Sequence, residues 1–280
     1  MDDLFGTEYV LEREGCSLHY WLSGPVGRPL VVLTHGAGLD HRSWAPQLGA
    51  LAERYRVLTW DVRGHGLSRP WGQEFSIALA AADLPALLDA AGYGEAFLVG
   101  LSMGGNISQE VVFRHPKRVR ALAALDCTCN TLRLSLLDRW LLSLSPAMLA
   151  MYPWERLKQL SARLSSVKAT VRRYIYETLS RMTKAEFVDV MLKTGDCLRY
   201  EPGYRIALPL LLLRGQFDGL GNIRDIMPRW AAREPRCRYV LVPDAGHCAN
   251  QDNPASVNAQ LLRFLAAQAE LDGASEAAGT

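Results

Sequence analysis

The sequence predicts an α/β protein in which a mostly parallel, twisted sheet is flanked by helices. Two observations support this fold class. Short apolar runs alternate along the chain with segments whose Leu, Ala and Val recur at helical spacing, and the runs are apolar throughout. Continuous apolar runs are typical of strands that are covered on both faces. Because strands that alternate with helices pair in parallel, ligand chemistry is expected at the carboxyl ends of the strands.

The individual elements follow from the same patterns. The stretch YVLEREGCSLHYWLSG contains two extended segments around Glu14 and Gly15, which predicts a hairpin near the start of the sequence. Further strands are predicted at 30–34, 57–60, 96–99, 119–125, 208–213 and 239–242. Helices are predicted at 43–53, 76–91, 104–114, 222–233 and 254–268. After the hairpin, every pair of successive strands is thus separated by a helical segment.

This alternation is interrupted between 130 and 200, where only helical patterning is found. A loop of that length would be implausible in a compact domain, so the segment is predicted to be a helical insertion. The chain is thereby divided into a first core part at 1–129, the insertion at 130–200 and a second core part at 201–270. The small and polar residues of 271–280 predict a flexible tail.

Composition and charge argue against several classes of protein. A chain of 280 residues that is 49% hydrophobic can bury a large core, and its net charge of +2 is too small for a nucleic-acid-binding surface. The N-terminus lacks the pattern of a secretory signal, and no apolar stretch is long enough for a membrane span. Six cysteines in so long a chain predict free thiols, and a cytoplasmic location is the resulting expectation. The oligomeric state is left open.

The clearest chemical signal is the stretch VGLSMGG, in which Gly100, Ser102 and Gly104 form a G-x-S-x-G pattern. Chance alone produces this pattern in ordinary chains, so its position decides its meaning. Ser102 directly follows a predicted strand and precedes a predicted helix, which is the context of a serine nucleophile on a tight turn. The glycines allow the unusual backbone torsions of such a turn and the close approach of strand and helix. We therefore expect Ser102 to be a nucleophile.

A serine hydroxyl needs a base, and the base needs a carboxylate that orients it. His247 follows the last predicted strand and Asp218 follows the preceding one, so both are expected at the same sheet edge as Ser102. Ser, Asp, His is also one of the known chain orders of such a triad. Asp126 ends the strand after the nucleophile helix and is an alternative partner for the histidine.

The reaction also needs N–H donors for the negatively charged oxygen of a tetrahedral intermediate. The stretch THGAG ends a predicted strand with small residues that allow backbone amides to face a ligand. The backbone N–H groups of Ala37, in this stretch, and of Met103, directly after Ser102, are the predicted donor pair. A plain turn after the strand is the alternative interpretation of THGAG.

The substrate pocket can be predicted only coarsely. Trp44 and Leu101 lie close to the predicted catalytic edge and are candidates for its lining, as are Trp140 and Trp154 from the insertion. For any single apolar residue of the insertion, a place in the core is the alternative. Between 131 and 200 the chain carries twelve Lys or Arg against six Asp or Glu. This excess predicts either attraction of an anionic substrate or solvated helix faces.

The motifs THGAG, WDVRGHGLS, VGLSMGG, LLRGQFDG and PDAGHCANQDNP occur in the order found in the α/β-hydrolase superfamily. Apart from the insertion, almost the whole chain resembles capped serine esterases and lactonases, with 3-oxoadipate enol-lactonases and acyl-homoserine lactonases among the relatives. The resemblance implies that the insertion is a helical cap over the active site and that His65, in the R-G-H-G turn, has a scaffold role. Relatives that act on epoxides or haloalkanes carry Asp at the nucleophile position, so Ser102 argues against those activities.

These observations predict a serine hydrolase that cleaves a small carboxylic ester or lactone through an acyl-enzyme. The prediction includes anionic substrates. C–C bond hydrolysis and cofactor-free haloperoxidase chemistry on the same fold are alternatives, as is a ligand receptor with little turnover. The Gly-rich turn at 100–105 does not match a dinucleotide-binding pattern, and no phosphate-binding lysine follows it. No cofactor, metal, nucleic acid or membrane partner is therefore expected.

Overall fold

A computed structural model describes residues 4–278 of the chain, without the side chains of 141–142, 145–148, 150 and 269–278. Its strands are β1 (Thr7–Arg13), β2 (Cys16–Ser23), β3 (Leu30–Thr34), β4 (Arg56–Trp60), β5 (Ala96–Leu101), β6 (Val119–Leu125), β7 (Leu210–Gly215) and β8 (Cys237–Val242). They form one sheet in the order β1-β2-β4-β3-β5-β6-β7-β8. β2 pairs antiparallel with β1 and β4, and every other neighbouring pair is parallel.

The helices of the described residues surround this sheet. They are α1 (Ala45–Ala52), α2 (Ile77–Ala90), α3 (Met103–Arg114), α4 (Leu136–Met151), α5 (Trp154–Ser165), α6 (Ala169–Leu179), α7 (Lys184–Gly195), α8 (Ile223–Arg233), α9 (Ala249–Asp252) and α10 (Pro254–Ala278). Each strand and helix that the sequence predicts has a counterpart that overlaps it. The predicted α/β class, with a mostly parallel sheet flanked by helices, is confirmed.

The apolar runs form the parallel strands because both faces of the sheet are covered. Every residue of β3 and of β7 is buried, whereas β1, at the edge of the sheet, is mostly exposed. β7 begins two residues later than predicted. It starts directly after Pro209, which has no N–H to donate to a neighbouring strand.

Four helices, α4 to α7, lie between β6 and β7, where the sequence predicts a helical insertion. We call residues 130–200 the insert. No helix in the described part of the chain is long and apolar enough to cross a membrane. All six cysteines are free thiols.

The C-terminal segment, where the sequence predicts a flexible tail at 271–280, is helical over most of its length. The backbone of α10 is helical through Ala278, and residues 279–280 lie outside the described residues. Three of the eight residues of 271–278 are alanine, whose high helix propensity favours continuation of the helix. The flexibility of this segment stays a prediction.

The turn after β4, with the sequence DVRGHGLS, is held by buried polar groups. Arg63 donates to both carboxylate oxygens of Asp83 at 2.7 Å, and both side chains are fully buried. His65 is also fully buried. Burial, followed by the nearby His35, lowers the pKa of His65 to about 3, so the imidazole is neutral near pH 7. Such an environment suits a structural side chain.

Candidate active site

Ser102 lies between the end of β5 and the start of α3, as the sequence predicts. Its φ of 53° and ψ of −119° place a non-glycine residue in a backbone conformation that costs about 1–3 kcal/mol. The surrounding backbone holds this conformation. The N–H of Ser102 donates to the carbonyl oxygen of Leu125 at 2.9 Å, and the carbonyl oxygen of Ser102 accepts from Gly105 at 2.8 Å. The serine is therefore presented on a sharp, fixed turn.

Glycines make this turn possible because strand, helix and neighbouring loop approach closely. A Cβ atom at Gly100 would lie 2.3 Å from the carbonyl oxygen of Gly104. A Cβ atom at Gly104 would lie 2.1 Å from the carbonyl oxygen of Thr34, at the end of β3. Both distances are far shorter than van der Waals contact, and backbone atoms cannot rotate away. Backbone packing thus requires the two outer glycines of the G-x-S-x-G pattern.

Two backbone N–H groups near Ser102 have no acceptor among the described residues. They belong to Met103, at the first position of α3, and to Ala37, in the loop after β3. This loop reaches the serine, because a Cβ atom at Gly36 would lie 3.3 Å from Cβ of Ser102. The N-terminus of α3 adds the positive end of a helix dipole. Donation by these two amides to a negatively charged oxygen beside the serine stays a prediction.

His247 and Asp218 form a buried pair at the same sheet edge. Nδ1 of His247 lies 3.1 Å from Oδ2 of Asp218, and Oδ1 of Asp218 accepts from the N–H of Leu220 at 3.0 Å. Burial opposes ionisation of Asp218, but the adjacent imidazole, together with hydrogen bonds from Leu220 and Asp126, outweighs burial and lowers the pKa of the carboxyl below its usual value. An ionised Asp218 favours the proton on Nδ1, which leaves Nε2 available as a base.

The loop that carries His247 is packed directly against the end of β7. A Cβ atom at Gly215, the last residue of β7, would lie 1.9 Å from the carbonyl oxygen of Gly246. This close approach brings the histidine next to Asp218, which lies three residues after Gly215. No hydrogen bond joins Ser102 to His247 within the described residues. Catalytic hydrogen bonds are often long before substrate is bound.

Asp126 lies beside this pair, at the end of β6, with its own backbone in the left-handed region at φ 45°. Its carboxylate accepts from the N–H of Gly215 at 2.6 Å and from the N–H of Ala249 at 3.3 Å. Burial, followed by the charge of Asp218, raises the pKa of Asp126 well above its usual range. Asp126 therefore connects the loops of Asp218 and His247, whereas the imidazole itself bonds to Asp218.

The four candidates for a substrate pocket have different surroundings. Trp44 and Leu101 are fully buried in the apolar core. Trp154 is partly buried and packs against Phe187, with ring centroids 5.5 Å apart. Trp140, in α4, is 60% exposed. A lining role for these residues stays a prediction.

The insert covers the loop that carries Ala37. A Cβ atom at Gly38 would lie 2.4 Å from Cδ2 of Leu179 and 3.3 Å from the ring of Phe187, both from the insert. The Tyr174 hydroxyl donates to Oδ1 of Asp40 at 2.8 Å. Apolar and polar side chains of α6 and α7 therefore lie directly above the loop after β3. The sequence does not identify these contacts, because Leu179 and Tyr174 have no distinctive motif.

The sequence model of the alpha/beta hydrolase family matches residues 31–260 of the chain. The chain therefore belongs to this family. An acetyltransferase component of the acetoin cleaving system of Pseudomonas putida is 31% identical over 248 residues, which are 87% of this chain and 65% of that protein. The chain thus spans less than two thirds of that relative.

Two further comparisons cover nearly the full length of both proteins. RutD of a Caulobacter species, whose name proposes carbamate hydrolysis, is 29% identical over 88% of this chain and 94% of its own. The crystal structure of the enol-lactonase from Burkholderia xenovorans has a TM-score of 0.80 at 24% identity, with 92% of this chain and 100% of that chain covered. The structural similarity supports the fold.

Proposed function

We propose that this hydrolase cleaves a carboxylic ester or lactone through an acyl-enzyme on Ser102. The observation that carries the proposal is the strained serine turn, with two unpartnered N–H groups beside it and a buried His–Asp pair at the same sheet edge. Strained backbone conformations persist where the surrounding structure enforces them, and they cluster at functional sites. A structural serine would not need such a turn.

In the first half of the proposed reaction, Nε2 of His247 takes the proton of the Ser102 hydroxyl as the oxygen attacks the carbonyl carbon. The carbonyl oxygen becomes negatively charged and accepts from the N–H groups of Ala37 and Met103. The tetrahedral intermediate then collapses, the bond to the leaving oxygen breaks, and the imidazolium donates its proton to that oxygen. For a lactone, the alcohol released in this step stays attached to the acyl group.

In the second half, Nε2 of His247 takes a proton from water, and the hydroxide oxygen attacks the acyl carbon. The bond to Ser102 breaks, the serine recovers a proton from the imidazolium, and the acid leaves. Throughout both halves the carboxylate of Asp218 holds the imidazole in one tautomer and stabilises its positive form. Asp126, which accepts from backbone N–H groups, would hold the two loops in place.

The insert is proposed to be a cap that shapes the acyl or leaving-group pocket, because Leu179 and Phe187 lie above the loop of Ala37. Enol-lactonase and carbamate hydrolase among the relatives' names suggest lactones and carbamates as test substrates beside simple esters. Several basic side chains of the insert are already in ion pairs, as Lys158 is with Glu155 and Lys193 with Glu74. Attraction of an anionic substrate therefore stays a proposal for the remaining cations. The free thiols suit the proposed cytoplasmic location.

The decisive experiment is removal of the Ser102 hydroxyl. We expect Ser102→Ala to lower kcat for p-nitrophenyl acetate by at least about 10³-fold, because the other members of a triad cannot replace the nucleophile. A fluorophosphonate probe should label Ser102 in the natural protein and nothing in the variant, as read by peptide mass spectrometry. Ser17→Ala, a substitution in β2 outside the proposed site, is the matched control and should keep full turnover. Undiminished turnover by Ser102→Ala would contradict the proposal.

The same assay separates the two candidate carboxylates. Asp218→Ala should lower kcat by orders of magnitude, because it removes the partner of Nδ1. Asp126→Asn should lower it much less, because its single amide oxygen can still accept from the N–H of Gly215, the shorter of the two hydrogen bonds. A larger loss of kcat in Asp126→Asn than in Asp218→Ala would instead identify Asp126 as the partner of His247.

Three alternatives have their own discriminating results. A C–C bond hydrolase would spare simple esters and cleave a vinylogous diketone. A cofactor-free haloperoxidase would need peroxide and a carboxylic acid. A receptor would shift its melting temperature with a ligand and hydrolyse no activated ester above background. A rate panel over aryl esters of increasing acyl length, aliphatic lactones, an enol-lactone and a carbamate, compared as kcat/KM, would rank the substrate classes.

A further inference from the structure

The loop that carries His247 is hydrogen-bonded to the insert as well as to the core. The N–H of Cys248 donates to the carbonyl oxygen of Ser165, at the end of α5, at 2.8 Å. The N–H of Gly246 donates to Oδ2 of Asp252, at the end of α9, at 2.8 Å. The backbone N–H groups on both sides of His247 are thus held by partners outside the loop, one of which belongs to the insert.

Asp252 binds the insert directly. Its carboxylate accepts from the Ser166 hydroxyl and, at 3.1 Å, from the N–H of Val167. Asp252 is 1% exposed, so these hydrogen bonds and the one from Gly246 replace water around the carboxylate. Two of these three donors come from the insert. Moving segment 165–167 away would leave a buried carboxylate with one of these donors, which is energetically costly.

The contact between this segment and the histidine loop has no free space. A Cβ atom at Gly246 would lie 3.3 Å from the carbonyl oxygen of Ser165, from Cα of Ser166 and from Oδ2 of Asp252. The segment is itself fixed to α6, because Nε of Arg172 donates to the carbonyl oxygen of Ser166 at 2.7 Å. A displacement of α5 and α6 would therefore be transmitted to the loop that carries His247.

We propose that Asp252 is a positioning residue through which the insert sets the position of His247. This inference rests on the proposed role of His247 as the base. With segment 165–167 docked, the carboxylate holds the loop so that the imidazole faces Asp218. With the segment undocked, Cys248 loses its acceptor, Ser165, and the Asp252 carboxylate keeps only Gly246 of its three donors, so the loop no longer fixes the imidazole. A substrate that contacts the insert thereby also influences the base.

The test compares Asp252→Ala with Asp252→Asn and Ser166→Ala at 20 °C, after circular dichroism has established that each variant is folded. Loss of the carboxylate should lower kcat by about 10- to 100-fold with little change in KM, because small displacements of a catalytic group cost rate more than binding. Asp252→Asn should retain most of kcat, since its amide oxygen accepts from Gly246 and Val167 and its amide N–H can donate to the Ser166 hydroxyl. Ser166→Ala should lower kcat by a smaller factor.

Arg69→Gln is the matched control. Arg69 joins the core to Glu186 of the insert and makes no hydrogen bond to the His247 loop within the described residues. The Arg69→Gln substitution removes a contact between insert and core without changing any contact of the His247 loop, so kcat should stay unchanged. If Asp252→Ala does not fold, Ser166→Ala compared with Arg69→Gln decides the question.

Each outcome counts for or against the inference. A folded Asp252→Ala with the kcat of Arg69→Gln, or a loss confined to KM, would overturn it, and so would an unaffected Ser166→Ala if the alanine variant at 252 does not fold. Ser102→Ala is measured in the same series. If that variant is inactive while Asp252→Ala is fully active, only this inference fails; if Ser102→Ala stays active, the proposed function fails first.

Discussion

The core around Ser102 and the insert above it are held by different kinds of contact. In the core, backbone atoms pack directly against backbone atoms. Gly104 lies against a carbonyl oxygen of β3, and Gly215 lies against a carbonyl oxygen of the His247 loop. Most of the contacts between insert and core described above are made by side chains instead. Leu179 packs above Gly38, and Tyr174 donates to Asp40. Backbone contacts tolerate almost no change in sequence, whereas side-chain contacts can be exchanged.

Backbone contacts therefore hold the groups proposed for the chemistry, whereas side-chain contacts form the surface proposed to select the substrate. The turn of Ser102 and the positions of its N–H donors depend on glycines and backbone hydrogen bonds, so they are independent of most side chains. The surface above the loop of Ala37 is built from ordinary apolar and polar side chains of α6 and α7. Segment 165–167 is the exception, because the insert there contacts the loop of His247 through backbone groups and the buried carboxylate of Asp252.

The largest expected effect comes from comparing two glycines. Gly104→Ala should cost more than about 4 kcal/mol of unfolding free energy, or abolish folding, because its Cβ would lie 2.1 Å from a backbone oxygen. Gly38→Ala should cost about 1–2 kcal/mol, chiefly for its positive φ, since the side chains of Leu179 and Phe187 can move. Urea denaturation of the soluble variants measures both. Equal costs would contradict the distinction between backbone and side-chain contacts.

The sequence predicts the backbone part of this comparison and misses the side-chain part. Gly100, Ser102 and Gly104 are identifiable because a tight turn between an apolar run and a helix restricts the residue types that fit. His247 and Asp218 follow strands whose apolar runs are unmistakable, so their shared sheet edge can be inferred. Asp252 carries no such signal, since its role depends on a tertiary contact with segment 165–167, and tertiary contacts leave no periodicity in the sequence.

A second comparison sets two aspartates of α2 against each other. Asp83 is fully buried against Arg63, whereas Asp89 is mostly exposed beside Arg118. Asp83→Asn should cost about 3–5 kcal/mol, because it leaves the Arg63 guanidinium buried without its counter-charge. Asp89→Asn, the matched control, should change the urea midpoint little. Similar midpoints for the two variants would show that the buried pair of the core does not matter for stability.

The pH dependence of stability tests the buried histidine of the core. The pKa of His65 is about 3 in the folded protein, whereas an unfolded histidine binds its proton near 6.5. Between these values the unfolded chain holds more protons, so stability falls as pH is lowered from about 6.5 towards 3. His65→Gln should remove up to about 1.4 kcal/mol per pH unit from that slope, as measured by urea denaturation at pH 5 and 7. Parallel pH curves for variant and natural protein would contradict a neutral, buried His65.

The smallest effect is expected where core and insert meet through an ion pair. Arg69 pairs with Glu186 of α7, and both side chains are partly exposed, so water and salt weaken the attraction. A double-mutant cycle with Arg69→Gln and Glu186→Gln isolates the pair from the loss of the Thr183 cap that Glu186 also provides. The coupling free energy should be about 0.2–1 kcal/mol and should decrease as salt is added. A coupling free energy of about 3–5 kcal/mol, the cost expected for Asp83→Asn, would show that this polar contact fixes the insert as firmly as buried charges fix the core.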